Sequence, residues 1–466
     1  MSRLLKERLK TICIFLLIIL GILQVGILWG YQNQGTPTSF ILRILKGSTQ
    51  ISGTEARERL FIPDRLILSS GGKSHWILNK DSDFYDEFWD EAKQGLISIA
   101  SGNVSLKSSN EAWGDVAEKR GFIIDFGYEI PPELMKWFLF GTSHEKQELP
   151  PVYKLMVKPD IIDGNTSTLY LCSTGNKVYV SGTIRYERTK SLNDVITDIL
   201  GNKDQEYRDY STFNSANIYE GTETEPDVLF VTASPSYWPY FEYSCEPPAR
   251  AEIRDELLAA VLGAEKDRYN MNKYNDNMEF TYGSNIYRYY NEGYLTYNYL
   301  GSVDTSGNVE TDSLLNAYKF VARVKGILET SADIILTSVK EEITGVFSFT
   351  FDYRLKGMPV QIGLYMKDGN GQKLEHAIII QADSKHVLSC DWLLRDFAQN
   401  GKAYYKDRFM DVFGKTGMNY EEVTIKDMRS GYLIDSSSDR ILKPKLLIER
   451  KDSPLLPLEM LPQEGD

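Results

Sequence analysis

The chain has 466 residues and a mass of 53.2 kDa, more than one hydrophobic core fills and enough for two or three domains. Charged residues make up 25% and hydrophobic ones 42%, which argues against long disordered tracts and against a polytopic membrane protein. Sixty-five acidic residues against fifty-two Lys plus Arg give a net charge of −13, so nucleic acid is repelled unless a basic face is segregated.

Residues 11–30, from Thr11 to Gly30, carry no charge. At ~1.5 Å per residue a helix of that length spans a bilayer's hydrocarbon core. Arg3, Lys6, Arg8 and Lys10 precede it against the single acid Glu7, so the positive-inside rule holds residues 1–10 in the cytoplasm and sends the rest across. A cleaved signal peptide would show a shorter apolar region and a small-x-small site, whereas this one runs into Trp29 and Tyr31. The expectation is an uncleaved signal anchor and an extracytoplasmic body. Residues 31–53, rich in Gly, Ser, Thr and Gln, read as a stalk.

An N-terminal α+β domain is expected over 54–224. Arg65–Ser69 and His75–Leu78 read as strands about a glycine turn, and Asp81–Ile99 as a helix with Tyr85, Phe88, Trp89, Ala92 and Leu96 on one face. Ser108 to Glu111 has capping-box spacing and predicts a helix ending at Gly121. Then come a strand at Phe122–Phe126, a helix from Pro131-Pro132, a meander over 152–181 and a helix at Ser191–Leu200. The polar stretch 201–225 is the expected boundary. A middle α+β unit, 225–305, begins with Asp227–Thr232, a Pro/Tyr-rich loop to Pro248 and a helix at Ala251–Leu262. It ends in three tyrosine-rich strands, Met278–Tyr282, Ile286–Tyr290 and Tyr294–Leu300. The C-terminal domain, 306–466, is predicted to hold a helix at Ser313–Val324, four strands to Gln381, helices at Trp392–Gln399 and Tyr404–Phe413, and two last strands. Strands grouped in meanders between helices imply an α+β class with antiparallel sheets.

Chemistry is looked for in several places. Ser70-Gly-Gly-Lys73-Ser74 lacks the earlier glycine of a phosphate loop and sits between two strands, so it reads as a tight turn. His376, His386, Asp383 and Cys390 match no common zinc spacing. Cys172, Cys245 and Cys390 are scattered and read as separate buried small residues. Asp125, flanked by apolar residues, reads as the solvent side of an alternating strand. The chain is expected to be no enzyme and to need no cofactor. Tyr287, Tyr289, Tyr297 and Tyr299 fall in one meander; such tyrosines are either strand-forming core or a partner surface.

The span running into Trp29-Gly-Tyr31, the segment Pro63-Asp-Arg-Leu-Ile-Leu-Ser69 with His75-Trp76, Tyr85–Trp89, and Gly357-Met-Pro359-Val360 together resemble the YycH family of membrane-anchored regulators. The tail, Ile425-Lys-Asp-Met-Arg-Ser-Gly-Tyr432 followed by Ile441–Ile448, is also similar to the related YycI proteins. The resemblance implies an accessory protein of the WalK/WalR two-component system of low-GC Gram-positive bacteria. Such a protein contacts the sensor kinase and a YycI-like sister protein and bears on cell-wall metabolism. Within the span, Gly26 and Gly30 form a GxxxG pair, and the Gln24 amide in hydrocarbon is costly unless it bonds to another helix. A contact with a partner helix is the expected use, against the alternative of a tolerated amide that snorkels or self-associates. The alternative function is a wall-polysaccharide-binding protein or hydrolase, which requires a carboxyl pair about 5–10 Å apart.

Overall fold

The computed structural model describes the residues between Ser52 and Glu459 apart from 79, 81–83, 142–147, 188–189, 202–207, 213–222, 225–228, 232–239, 249–268, 308, 329, 364–372, 405–423 and 451–455. The expected anchor, the cytoplasmic tail and all of the stalk but Ser52 and Gly53 lie outside the described residues, as do the helices expected at Ala251–Leu262 and over most of Tyr404–Phe413; Ser52 and Gly53 instead cap and open a helix. Among the described residues no helix is long and apolar enough to cross a membrane. All of them belong to one compact unit, Ser52–Asp466.

The fold is α+β, with sheets that are antiparallel except at two pairings. After helix α1 (Gly53–Leu60) come strands β1 (Arg65–Ser69) and β2 (Ser74–Leu78), helix α2 (Tyr85–Ala100), β3 (Leu106–Ser108), the short α3 (Trp113–Ala117), β4 (Gly121–Ile130) and α4 (Pro132–Phe140). The meander β5 (Val152–Pro159), β6 (Thr166–Ser173), β7 (Lys177–Ser181) and β8 (Ile184–Arg185) leads to α5 (Leu192–Gly201) and β9 (Arg208–Thr212). Then follow β10 (Glu223–Thr224), β11 (Leu229–Val231), β12 (Tyr240–Glu246) and β13 (Asn270–Lys273). The tyrosine meander is β14 (Asn277–Tyr282), β15 (Asn285–Tyr290) and β16 (Tyr294–Tyr299), and α6 is Val309–Lys325. The remaining strands are β17 (Asp333–Ile343), β18 (Val346–Leu355), β19 (Met358–Ile362), β20 (Ile378–Ala382), β21 (Val387–Leu393) and β22 (Asp396–Tyr404), then β23 (Thr424–Ile434), β24 (Ile441–Leu442), β25 (Lys445–Arg450) and β26 (Leu456–Glu459).

The N-terminal sheet runs β11-β9-β2-β1-β4-β5-β6-β7-β3, and the second sheet runs β13-β14-β15-β16-β21-β20-β18-β19-β23-β25-β26. A small third sheet holds β22, β12 and β24. In the stretch expected as a boundary the chain changes sheets: β9 pairs β2, β10 pairs β23 in parallel, and β11 returns to β9. The meander β14–β16 shares its sheet with β17–β21.

Strand β4 is buried on both faces, because α3 packs on one side beside Ile67, Ile123 and Met156 while α2 covers the other through Phe88, 4.8 Å from the Phe122 ring. Double burial replaces alternation by a continuous apolar run. Helix α6 buries Leu314, Ala317, Tyr318, Val321 and Val324, the spacing of one helical stripe, against β18, β20 and β21. Each such large side chain contributes about 1.5–3 kcal/mol by leaving water.

Three expectations are corrected. Helix α3 covers only Trp113–Ala117 rather than 108–121, because Ser109 Oγ accepts the Glu111 N–H in a local turn and Ser108 already ends β3. Trp392–Gln399 is not a helix: it spans the end of β21 and the start of β22, where Trp392 pairs across to Ile378 and to Leu295. Within the Pro/Tyr-rich loop, Tyr240–Glu246 is a strand paired with β22 and β24. The glycine pair at the β1–β2 turn is in the left-handed region, Gly71 at φ 95° and Gly72 at φ 79°, which accounts for Ser70–Ser74 as a turn.

Candidate functional site: an inter-sheet ion cluster and a tyrosine basin

Two places gather polar chemistry. The first joins the N-terminal sheet to the second. Asp125 on β4 is 1% exposed, not on a solvent face as expected from alternation, because both faces of β4 are covered. Its carboxylate accepts Arg65 Nη2 at 2.6 Å and the Gly127 N–H at 2.9 Å, with Lys154 Nζ 3.9 Å away. Arg65 also donates through Nη1 to Asp427 on β23 at 2.9 Å. Asp427 in turn pairs with Arg429, which reaches Asp64 at 2.9 Å. Arg354 on β18 pairs with the Asp64 carboxylate and donates to its carbonyl at 2.9 Å. Three carboxylates thus face four cations, and each partner offsets a desolvation cost the other could not carry alone.

Burial pushes the Asp427 carboxyl up, but Arg429 and Arg65 overcome it and hold the group well below the usual carboxylate range. Asp125 shows the same order, burial opposed by Lys154, Arg65 and the Gly127 N–H, with a net lowering. Burial works against the Arg65 charge, and Asp427 and Asp125 more than restore it. Carboxyls depressed in the fold stabilise it above their unfolded value of 3.8 and lose that contribution as pH falls through the folded value. The cluster's contribution to the urea midpoint is therefore expected to hold from pH 7 to about pH 5 and to be lost steadily below pH 4. A midpoint that is flat down to pH 3 contradicts the assignment.

A cavity of about 120 Å³ adjoins the cluster, lined by Pro63, Asp64 and Arg65, by Met358 and Pro359, and by Met428 and Arg429. Three segments that carry the sequence resemblance, Pro63–Ser69, Gly357–Val360 and Ile425–Tyr432, therefore meet here although Arg65 and Asp427 lie 362 residues apart.

The second place is a basin of about 350 Å³ between the tyrosine meander and α6. Of the four singled-out tyrosines, Tyr287, Tyr297 and Tyr299 line it. Tyr289 faces elsewhere: it is fully buried and its hydroxyl donates to the Pro248 carbonyl at 2.6 Å. Tyr287 and Tyr297 stand opposite each other on β15 and β16, centroids 4.7 Å apart, and Phe320 follows at 5.2 Å. The Tyr299 ring stacks on His386 at 4.6 Å. It lies so close to Gly301 that a Cβ there would come within 2.2 Å of it. Asn316, Lys319 and Arg323 come from one face of α6, and Lys385 and His386 from the β20–β21 turn. That turn is fixed by Asp383, which accepts the N–H groups of Lys385 at 2.8 Å, His386 at 2.6 Å and Asp304 at 2.6 Å.

Sequence reading missed the basin's cations. The period of α6 marked its buried stripe, so the opposite face carrying Lys319 and Arg323 was visible, but not what it faces. Among the described residues no group of three His, Cys, Asp or Glu could hold a metal. Cys390 lies fully buried on β21 opposite Tyr297, and Cys172 and Cys245 are likewise buried thiols outside any disulfide. His376 is paired with Asp352, Nδ1 to carboxylate 2.9 Å. Gln24, Gly26 and Gly30 lie outside the described residues.

No family model matches the chain, and no curated protein does. Among solved structures, one of an uncharacterized protein from Eubacterium rectale aligns with 48% of this chain and 83% of its own at a TM-score of 0.30 and 12% identity. The crystal structure of YycH from Bacillus subtilis covers 86% of this chain and 96% of its own, at a TM-score of 0.54 and 12% identity, so the chain shares the fold of YycH.

Proposed function

We propose that the chain is a single-pass, membrane-anchored regulator whose extracytoplasmic body modulates a WalK-type sensor histidine kinase controlling cell-wall metabolism. It acts through protein–protein contacts and alongside a YycI-like sister protein. The observation that carries this reading is the fold shared with YycH over 86% of the chain. The meeting of the resembling segments at one ion cluster supports it, since those segments then hold the two sheets together. In this reading residues 1–10 are cytoplasmic, 11–30 span the membrane, 31–53 form a stalk, and the body beyond is catalytically silent.

Its test is recovery of the kinase and the sister protein with the full-length chain solubilised from native membranes. Replacing Gln24 with leucine is expected to lower kinase recovery by about threefold or more, the value of one interhelical hydrogen bond. Unchanged recovery removes the helix contact from the reading. Absence of the kinase from every pull-down, or turnover of wall polymer abolished by a single carboxylate substitution, overturns the function itself.

A further inference from the structure

The tyrosine basin has a composition at odds with the chain around it. The protein carries a net charge of −13, yet no Asp or Glu lines the basin, while Lys319, Arg323 and Lys385 do. Lys385 is paired with Asp304 at 2.6 Å, but among the described residues neither Lys319 nor Arg323 makes an ion pair. The positive charge is therefore left to face the opening. Arg323 is close enough to oppose the effect of burial, which raises both the Tyr287 and Tyr297 phenols. Among the described residues the Tyr287 and Tyr299 hydroxyls have no hydrogen-bond partner, whereas the Tyr297 hydroxyl is used on Asn285 at 2.7 Å.

The walls are preset. Tyr299 is held between His386 and Gly301, and Tyr287, Tyr297 and Phe320 form a continuous aromatic row. At about 350 Å³ the basin lies within the ordinary range for small-molecule sites. Aromatic walls offer flat apolar contact, and a guanidinium beside an ammonium offers charge-assisted hydrogen bonds to an oxyanion.

We propose that this basin binds a small ring-bearing organic anion, its phosphate or carboxylate held by Lys319 and Arg323 and its ring lying against the half-buried Tyr299, which the buried Tyr287, Tyr297 and Phe320 back. The site belongs to the body of the protein and does not depend on which partner the membrane segment meets.

The test is calorimetric titration of the full-length chain in detergent micelles with glucose 6-phosphate, glucuronate and glucose as probes. Saturable binding of either anion is expected, the phosphate ester and the carboxylate telling the two sources apart, with glucose at least about tenfold weaker. The double variant Lys319→Ala/Arg323→Ala, on the open face of α6, is expected to lose about tenfold or more in affinity at an unchanged thermal midpoint. Arg323→Lys is expected to retain part of it, since a point charge replaces a forked donor. The proposal is overturned by equal affinity for glucose, by undiminished anion binding in the double variant, or by saturable binding of neither anion.

Discussion

Replacing Arg65 with methionine is expected to lower the free energy of unfolding by about 3–5 kcal/mol at pH 7, the cost of stranding buried charges without their partner. Arg65 is the only described cation that touches both Asp125 and Asp427, at 2.6 and 2.9 Å, so its loss leaves two carboxylates buried in the junction. Lys154 and Arg429 retain one contact each, at 3.9 Å to Asp125 and directly to Asp427. The effect is read from urea denaturation. In the variant those carboxyls are no longer held as far down, so its stability is expected to vary less with pH, the two proteins converging as pH falls toward 3. Adding Asp125→Asn and Asp427→Asn to the methionine variant removes the stranded charges and is expected to recover part of the loss. A difference below about 1 kcal/mol at pH 7 would place the cluster with ordinary surface pairs and sink this account of the junction.

Trp392→Ala is expected to cost about 3–5 kcal/mol, the range for deleting a large aromatic from a closed core. Trp392 is 1% exposed, and its indole N–H donates to the Tyr353 hydroxyl at 2.7 Å, which donates on to the Leu393 carbonyl at 3.0 Å. The Tyr353 ring meets Phe397 edge-on at 5.0 Å, so the relay sits where β18, β21 and β22 come together. Tyr353→Phe keeps the ring and strands the indole donor, for an expected cost of about 1–3 kcal/mol. Comparable losses for the two single variants and their double would show that the hydroxyl, not the packed indole volume, governs this part of the core.

The same stretch shows where the sequence is legible and where it is not. The tyrosine meander could be read because its strands are short, aromatic-rich and separated by glycine turns, and β14, β15 and β16 fall within a residue or so of the expected limits. Helix α6 could be read because one face stays wet. Trp392–Gln399 misled because Trp392, Leu393, Leu394 and Phe397 are all buried, and an element covered on both faces loses the period that tells helix from strand. Asp125 misled for the same reason, since alternation assumes a solvent side that β4 lacks. Of the candidate sites, the tyrosines were visible as a local cluster, but the cations opposite them were not. Lys319 and Arg323 on α6 meet Lys385 and His386 only through sheet topology, which a local pattern does not carry. The resembling segments were legible as short motifs, and their convergence at Arg65 became visible only in three dimensions.

The reach of the Arg65–Asp427 contact has a consequence for how the body is made. Synthesis supplies Asp64, Arg65 and Asp125 early and their counterparts on β23 only near the end, 362 residues later. Until then the early strands hold a guanidinium that lacks one of its two carboxylates, so the N-terminal sheet cannot settle against the second one as the chain emerges. Closure of so distant a loop is slow. The junction is thus expected to close only once β23 has been made, and a product truncated before Asp427 is expected to be degraded rather than to accumulate as a folded half.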